Sequence, residues 1–297
     1  MKKTKVEEVQ ISKHALVTVT EMNHIIEVQH MDKMNNCSHI KKLDADRYVD
    51  LKTGDIREFE RTENRSQGLN SLLQTFKKLR YLINNNFTGG GNELFITLTY
   101  AEQTNDHLQV GQDYDKFLKR LRYKLGKKLG PIDAIRVLEP HATGNWHIHA
   151  LLRFNDLSEV YIANAELAEI WGHGFVKINS LKDVDNIGAY VSAYLTDIEV
   201  TNENILGFAS NGKEMAVKET EGKVYVKGAR LKYYPPGVNI FTKTKGIVYP
   251  ERTIMPYEQA KRIVGAATPH YKKSIALSDE EKGFENTITY EQYNLKR

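Results

Sequence analysis

The sequence predicts an α+β fold built around a central antiparallel sheet, and three observations support this prediction. A run rich in β-branched and aromatic residues predicts a strand at 94–100, and further strands are expected at 133–139, 146–154 and 175–178. Apolar residues recur at helical spacing in 113–125 and 158–171, which predicts amphipathic helices there. The resulting order is β-α-β-β-α-β, which is the order of the ferredoxin-like, split βαβ arrangement.

Each of these elements has a local reason. Residues 94–100 read Leu-Phe-Ile-Thr-Leu-Thr-Tyr, a composition typical of a buried strand. The first helix is expected to end before Gly126, because glycine is a poor helix former. In the second helix, Ser158 is the expected N-cap and Gly172 the expected terminator, since a glycine accepts the left-handed conformation that often ends a helix.

Further helices flank this core. Helical spacing of apolar residues predicts one helix over 69–83 and another over 183–196. The glycine-rich stretch at 88–92 is the strongest break in the chain. We therefore expect three consecutive segments, which are an N-terminal extension at 1–91, a core domain at 92–200 and a β-rich and helical accessory region at 201–297.

Composition limits the class of protein. The 297 residues are 40% hydrophobic, which is enough for a folded core, and the formal net charge is +4. The single cysteine, Cys37, has no partner for an internal disulfide, which fits a reducing cytosol. The basic first residues are followed by Val6-Glu7-Glu8 instead of an apolar stretch, and no run of about 18 apolar residues is present. We therefore expect a cytoplasmic protein without a membrane span; the sequence does not indicate its oligomeric state.

A candidate metal site lies at the start of the third strand. His147 and His149 are two residues apart, so the period of a strand places both imidazoles on one face of the sheet. A hairpin through 140–145 returns Glu139 beside the start of that strand. Two imidazoles and a carboxylate aimed at one point hold a divalent cation and leave positions open for a phosphate oxygen. The alternative is a pair of solvated or hydrogen-bonded surface histidines, for which the same spacing is common.

A candidate nucleophile lies on the helix over 183–196. Tyr190 and Tyr194 are four residues apart, so both phenols lie on one side of that helix. A tyrosine oxygen can attack phosphorus and form a covalent intermediate, although its ordinary pKa near 10 requires a nearby cation. The alternative is ordinary packing of two tyrosines at the edge of a core.

Basic residues are concentrated in two parts of the chain, both of which we expect to contact DNA. Between 116 and 128 no acidic residue interrupts the basic ones, as suits a helix lying along phosphates. Between 222 and 249 basic residues alternate with aromatic ones, as suits a groove for single strands. The expected contacts are Lys116, Lys119, Arg120, Arg122, Lys124, Lys232, Lys243 and Lys245. The alternative is a solvated helix face and an ordinary β-rich lobe.

Three sequence motifs follow one another along the chain. The first is an apolar strand containing threonine at 95–100, the second a His-hydrophobic-His strand at 146–152, and the third a Tyr-x-x-x-Tyr helix at 190–194. Together they resemble the HUH-type endonucleases, and specifically the rolling-circle replication initiators of plasmids and of phages of the filamentous type, as in the gene II protein family. The resemblance covers about 92–200, and weaker similarity extends to 48–54 and 241–247.

The resemblance implies an activity with residue roles. Glu139, His147 and His149 would be ligands of Mg²⁺ or Mn²⁺, and Tyr190 and Tyr194 would be alternating nucleophiles. They would nick single-stranded or hairpin DNA at an origin, hold its 5′ end as a phosphotyrosine, release a 3′-hydroxyl primer and later religate the strand. A host helicase and polymerase are implied partners, because the sequence contains no phosphate-loop motif of a helicase.

The sequence departs from this family at one point. Relatives carry a lysine three residues after each tyrosine, and these positions are Ala193 and Asp197 here. Which basic residue replaces those lysines, and which tyrosine cuts first, stays open. So do the origin sequence, the native metal and the kind of element, whether plasmid, phage or transposable element.

Two other functions compete with this interpretation. A two-tyrosine transposase or a relaxase would use the same chemistry, although relaxases usually place the tyrosine before the histidine pair. A non-catalytic module for single-stranded nucleic acid on a ferredoxin-like sheet would belong to a different class. That second alternative leaves the grouping of Glu139, His147 and His149 without a role.

Overall fold

The computed structural model describes residues 2–34, 39–44, 46–59, 69–140, 145–196, 198–199, 217–220, 223–226, 230, 233–235, 237–280 and 283–297. The chain forms two compact units, the first from Met1–Thr62 with Pro250–Arg297 and the second from Glu63–Tyr249. These units do not coincide with the three consecutive segments expected from the sequence. Both ends of the chain share the first unit, and the helix expected in the N-terminal extension belongs to the second.

The helices are α1 (Leu69–Asn86), α2 (His107–Leu129), α3 (Asn164–Trp171), α4 (Ile187–Thr196) and α5 (Tyr257–Val264). The strands are β1 (Lys2–Val6), β2 (Leu16–Met22), β3 (Ile25–Met31), β4 (Ile40–Lys42), β5 (Arg47–Asp50), β6 (Ile56–Glu58), β7 (Glu93–Thr99), β8 (Ile132–Pro140), β9 (Trp146–Phe154), β10 (Val176–Ser180), β11 (Ile198–Glu199), β12 (Val217–Thr220), β13 (Lys223–Val226), β14 (Phe241–Lys243), β15 (Arg252–Pro256), β16 (Pro269–Asp279) and β17 (Phe284–Asn294). None of the described helices is long and apolar enough to cross a membrane.

The first unit contains an antiparallel sheet in the order β1-β16-β17-β3-β2-β15, with a separate small sheet of β4, β5 and β6. Its core lies where Ala260 and Val264 of α5 pack with Val19 and Val28 of the sheet. The polar sequence at the C-terminus does not suggest the long β16–β17 hairpin. Glu291 of β17 is buried here because partners satisfy it, including the Tyr257 and Tyr293 hydroxyls, which donate to it at 2.9 and 2.6 Å.

The second unit contains an antiparallel sheet in the order β10-β7-β9-β8-β14. Each neighbouring pair is antiparallel, and β9 lies in the centre with β7 and β8 on either side. The prediction of an α+β fold with a central antiparallel sheet is confirmed. The order β10-β7-β9-β8 within this sheet is also compatible with the split βαβ arrangement. A further small sheet has the order β11-β13-β12.

Helices cover both faces of this sheet. Residues alternate between the faces along each strand, so the strands contribute apolar side chains to a core on either side. On one face, Leu98 and Ile148 pack into a core with α2 and α3. On the other face, Phe95 and Leu151 pack into a second core with α1 and α4. Helix α2 therefore lies on the opposite side of the sheet from α4.

Two helices start later than the sequence suggests. Helix α3 begins at Asn164 and not at Ser158, because the chain first pairs elsewhere and the Val160 amide donates to the Gly91 carbonyl at 3.0 Å. Helix α4 begins at Ile187 and not at residue 183. Asp183 has a φ of 63°, which is incompatible with a right-handed helix.

The start of α4 is fixed against α1. The Gly188 amide donates to Asn84 Oδ1 of α1 at 2.8 Å. A Cβ atom at Gly188 would lie 2.5 Å from Asn84 Oδ1 and 2.8 Å from Arg80 Cγ. A glycine at this position therefore allows the two helices to approach closely.

Candidate functional site

The register of β8, β9 and β7 brings the three predicted metal ligands to one end of the sheet. Glu139 of β8 is the cross-strand partner of His147 on β9. On the other side of β9, Thr99 and Thr97 of β7 are opposite His147 and His149. Because His147 and His149 differ by two positions, both imidazoles lie on the face that α1 and α4 cover.

Glu139 is the centre of this group. Its side chain is only 7% exposed, and Oε2 accepts a hydrogen bond from His149 Nε2 while His147 Nδ1 lies 4.0 Å away. The other oxygen, Oε1, pairs with the Arg230 guanidinium. Burial by itself raises the pKa of the Glu139 carboxyl, but the His149 hydrogen bond and the surrounding positive groups outweigh it, so the pKa lies below its usual range.

His149 is held in place from both sides. Its Nδ1 lies 3.1 Å from the Thr97 hydroxyl, which donates to Nδ1 when the ring proton is on Nε2. The Phe95 ring lies nearly parallel to the imidazole, with centroids 5.4 Å apart and planes inclined by 13°. Phe95 and Thr97 therefore fix both the plane and the rotation of this buried ring.

Tyr190 joins the same group of side chains through Phe95. Its ring meets the Phe95 ring edge to face, with centroids 6.1 Å apart. One aromatic ring thus separates a predicted nucleophile from a predicted metal ligand. Tyr194 follows one turn later on α4, but its side chain lies outside the described part of the structure, as does Asp197.

The donor set fits a divalent cation in its chemistry, since it combines two imidazoles with a carboxylate. In the described part of the chain, however, no group of three or more His, Cys, Asp or Glu side chains is arranged to hold a metal ion. At this site Glu139 turns its two oxygens towards His149 and Arg230. A cation between the histidines would replace the hydrogen bond from His149 to Glu139 Oε2, and the Arg230 guanidinium on Oε1 would compete with it for the negative charge of the carboxylate.

The basic residues of α2 lie on the opposite side of the sheet and have structural partners. Arg120 donates to the carbonyls of Ile170 and Trp171 at the end of α3, at 2.8 Å each. Similar contacts join Arg122 to the Ile132 carbonyl at 3.1 Å, Lys124 to Glu169 at 2.6 Å and Lys116 to Asp113 at 3.5 Å. Lys119 is exposed. DNA contact by this helix stays a prediction.

Of the C-terminal basic residues expected to contact DNA, Lys243 donates to the Ile247 carbonyl at 2.6 Å, Lys245 is exposed and Lys232 lies outside the described residues. Sequence reasoning had no basis for selecting Arg230, because its place beside Glu139 results from a contact between residues that are distant along the chain. Arg230 also donates to the Pro140 carbonyl at 3.4 Å, which holds it at the end of β8.

One face of the sheet thus carries the two imidazoles and the carboxylate, and α4 packs the Tyr190 ring against Phe95 on that same face. Residues 93–199, about a third of the chain, match a family of replication-associated proteins, the one described by its ORF2 and gene II protein members. The match supports a Rep-type replication initiator. Comparisons with curated proteins and with solved structures give no match.

Proposed function

We propose that this protein starts rolling-circle replication by nicking and religating single-stranded DNA at an origin through a tyrosine nucleophile. The observation that carries the proposal is the convergence of Glu139, His147 and His149 on the sheet face where Phe95 joins His149 to Tyr190. The family match over 93–199 includes all of these residues. The strand order β10-β7-β9-β8 supports the finer proposal of a ferredoxin-like HUH endonuclease core.

In this proposal Glu139, His147 and His149 hold Mg²⁺ or Mn²⁺, which would polarise the scissile phosphate and offset its developing negative charge. Thr97 orients His149, because an imidazole that binds through Nε2 carries its proton on Nδ1 and donates it to the hydroxyl 3.1 Å away. Phe95 keeps the ring of His149 and the ring of Tyr190 in a fixed relation.

The tyrosine performs the covalent step. The phenol of Tyr190 or Tyr194 loses its proton, and the oxygen attacks phosphorus while the bond from phosphorus to the 3′ oxygen breaks. The 3′ oxygen takes up a proton, so the products are a 5′-phosphotyrosine and a free 3′-hydroxyl. A host polymerase extends that hydroxyl, with a host helicase opening the strand, and the reverse reaction reseals the DNA. The second tyrosine allows a second cut while the first is still occupied.

The decisive experiment is detection of the covalent adduct. The protein is incubated with single-stranded DNA of its own replicon in Mn²⁺ or in EDTA, and products are separated under denaturing conditions. We expect a protein–DNA adduct only with Mn²⁺, and proteolysis should place the DNA on Tyr190 or Tyr194. DNA binding without any adduct would indicate a non-catalytic binding module, and linkage to a residue outside α4 would refute the assigned nucleophiles.

A further inference from the structure

Arg230 places a largely buried positive charge beside the candidate site. Its guanidinium pairs with Glu139 Oε1 and donates to the Pro140 carbonyl at 3.4 Å, and its side chain is only 13% exposed. Taking a charge out of water is costly unless a partner offsets it. Glu139 offsets the charge of Arg230, and Arg230 in turn offsets the charge of a carboxylate to which no metal ion is bound.

A divalent cation changes this balance of charge. The formal charges of Glu139 and Arg230 cancel, so a divalent ion bound to Glu139 and the two neutral histidines brings the group to roughly two positive charges. A phosphodiester carries one negative charge, and more develops on its oxygens as a nucleophile attacks phosphorus. With Glu139 neutralised by the metal ion, the guanidinium can donate to those phosphate oxygens instead.

Arg230 also lies at the accessible end of the site. Pro140 is the last residue of β8, and its carbonyl holds Arg230 there. His147, the cross-strand partner of Glu139, lies at the same end, and its side chain is 26% exposed compared with 5% for His149. A phosphate that approaches the exposed side of His147 therefore comes close to a guanidinium paired with the neighbouring carboxylate.

Neither the nucleophile helix nor α2 supplies a cation to this group. Helix α4 contains no lysine or arginine between Ile187 and Thr196. Helix α2, with its many basic residues, lies on the opposite side of the sheet. In the described part of the chain, Arg230 is the basic side chain that the structure joins directly to Glu139.

We infer that Arg230 binds the phosphate on which the nuclease acts and stabilises its transition state. A guanidinium suits this role because its planar fork of N–H groups matches two phosphate oxygens. The inference rests on the proposed function, and it adds a catalytic residue that does not bind the metal ion. It also predicts that one substitution has opposite effects, since Arg230→Gln removes a competitor of the metal ion and a ligand of the phosphate together.

DNA binding without cleavage tests the phosphate contact. Fluorescein-labelled oligo(dT) of about ten nucleotides is titrated in saturating Mn²⁺ at several salt concentrations, and anisotropy is recorded. The protein carries Tyr190→Phe and Tyr194→Phe, so that no adduct forms. In this background Arg230→Gln should weaken binding about tenfold, as expected for one hydrogen bond to a charged group. It should also make the slope of log K against log salt shallower by about 0.7, which is the contribution of one phosphate contact on a single strand.

Two further variants make the result specific. Arg252→Gln removes the same charge from an exposed position on β15 and should leave the slope unchanged. Arg230→Lys keeps the charge and should keep the slope, and it remains informative if the glutamine variant does not fold. In proteins that retain both tyrosines, Arg230→Gln should slow adduct formation on replicon DNA about 100-fold in saturating Mn²⁺. Arg230→Lys should slow it about tenfold, because an ammonium lacks the fork.

The outcomes separate the two proposals. An unchanged slope in a folded Arg230→Gln variant that binds Mn²⁺, or an equal change in Arg252→Gln, would overturn the phosphate contact and leave the nuclease proposal standing. An unchanged adduct rate in either Arg230 variant would overturn the catalytic role. A shallower slope in Arg230→Gln, with no adduct from the wild-type protein, would support the contact and overturn the nuclease. Failure of the wild-type protein to bind single strands would overturn both proposals.

Discussion

Replacing Arg230 by glutamine is expected to tighten the binding of Mn²⁺. The Arg230 guanidinium pairs with Glu139 Oε1, and the two side chains are only 13% and 7% exposed. Glutamine removes the positive charge but keeps a polar side chain that reaches in the same direction. A divalent cation between the histidines would then bind Glu139 without a buried guanidinium competing for the negative charge of its carboxylate.

The size of the effect follows from that ion pair. A hydrogen bond to a charged group contributes about 1.5–3 kcal/mol, and a tenfold change in affinity corresponds to about 1.4 kcal/mol. The Kd for Mn²⁺ should therefore fall roughly 10- to 150-fold in Arg230→Gln. Because both groups are largely buried, added salt should reduce this difference only slightly.

Isothermal titration calorimetry with Mn²⁺ at fixed pH and salt measures this effect directly. Arg252→Gln is the control, because it removes the same charge from an exposed position on β15. Circular dichroism establishes that each variant is folded. If folded Arg230→Gln binds Mn²⁺ no more tightly than the wild-type protein, Arg230 does not compete with the metal, and weaker binding would show that it supports the metal site instead.

Other substitutions test the site and its scaffold. His147→Ala should weaken Mn²⁺ binding about tenfold or more in the same calorimetric assay, and unchanged affinity would remove this residue from the ligand set. Tyr190→Phe and Tyr194→Phe should each leave some adduct on denaturing gels, whereas the double variant should form none and still bind DNA; an adduct in the double variant would contradict the proposed nucleophiles. Gly188→Ala should lower the free energy of unfolding by about 1–2 kcal/mol in urea, because its methyl group would overlap α1. Gly126→Ala should raise it by up to about 1 kcal/mol, since nothing lies within 4 Å, and equal effects would contradict the close approach of α4 to α1.

The sequence by itself determined the elements of the central sheet and the relation between the predicted ligands. Strand β9 has the predicted bounds, Trp146–Phe154, because a mostly apolar run that follows a hairpin loop is a local signal. A strand period of two requires His147 and His149 to share a face, and a hairpin between β8 and β9 places Glu139 beside His147. These relations depend on neighbours along the chain, so no knowledge of distant contacts was needed.

Only the tertiary structure decided which distant groups meet at this site. Arg230 reaches Glu139 from a distant part of the chain, and its immediate neighbours do not distinguish it from other basic residues. The sequence also did not determine which side of the sheet α2 occupies. That side decides that Arg120 contacts the end of α3. The sequence also did not predict that β1 pairs with β16, which brings both ends of the chain into one unit. Each depends on the burial and pairing of residues far apart in sequence, whereas periodicity reports only which face of its own element a residue occupies.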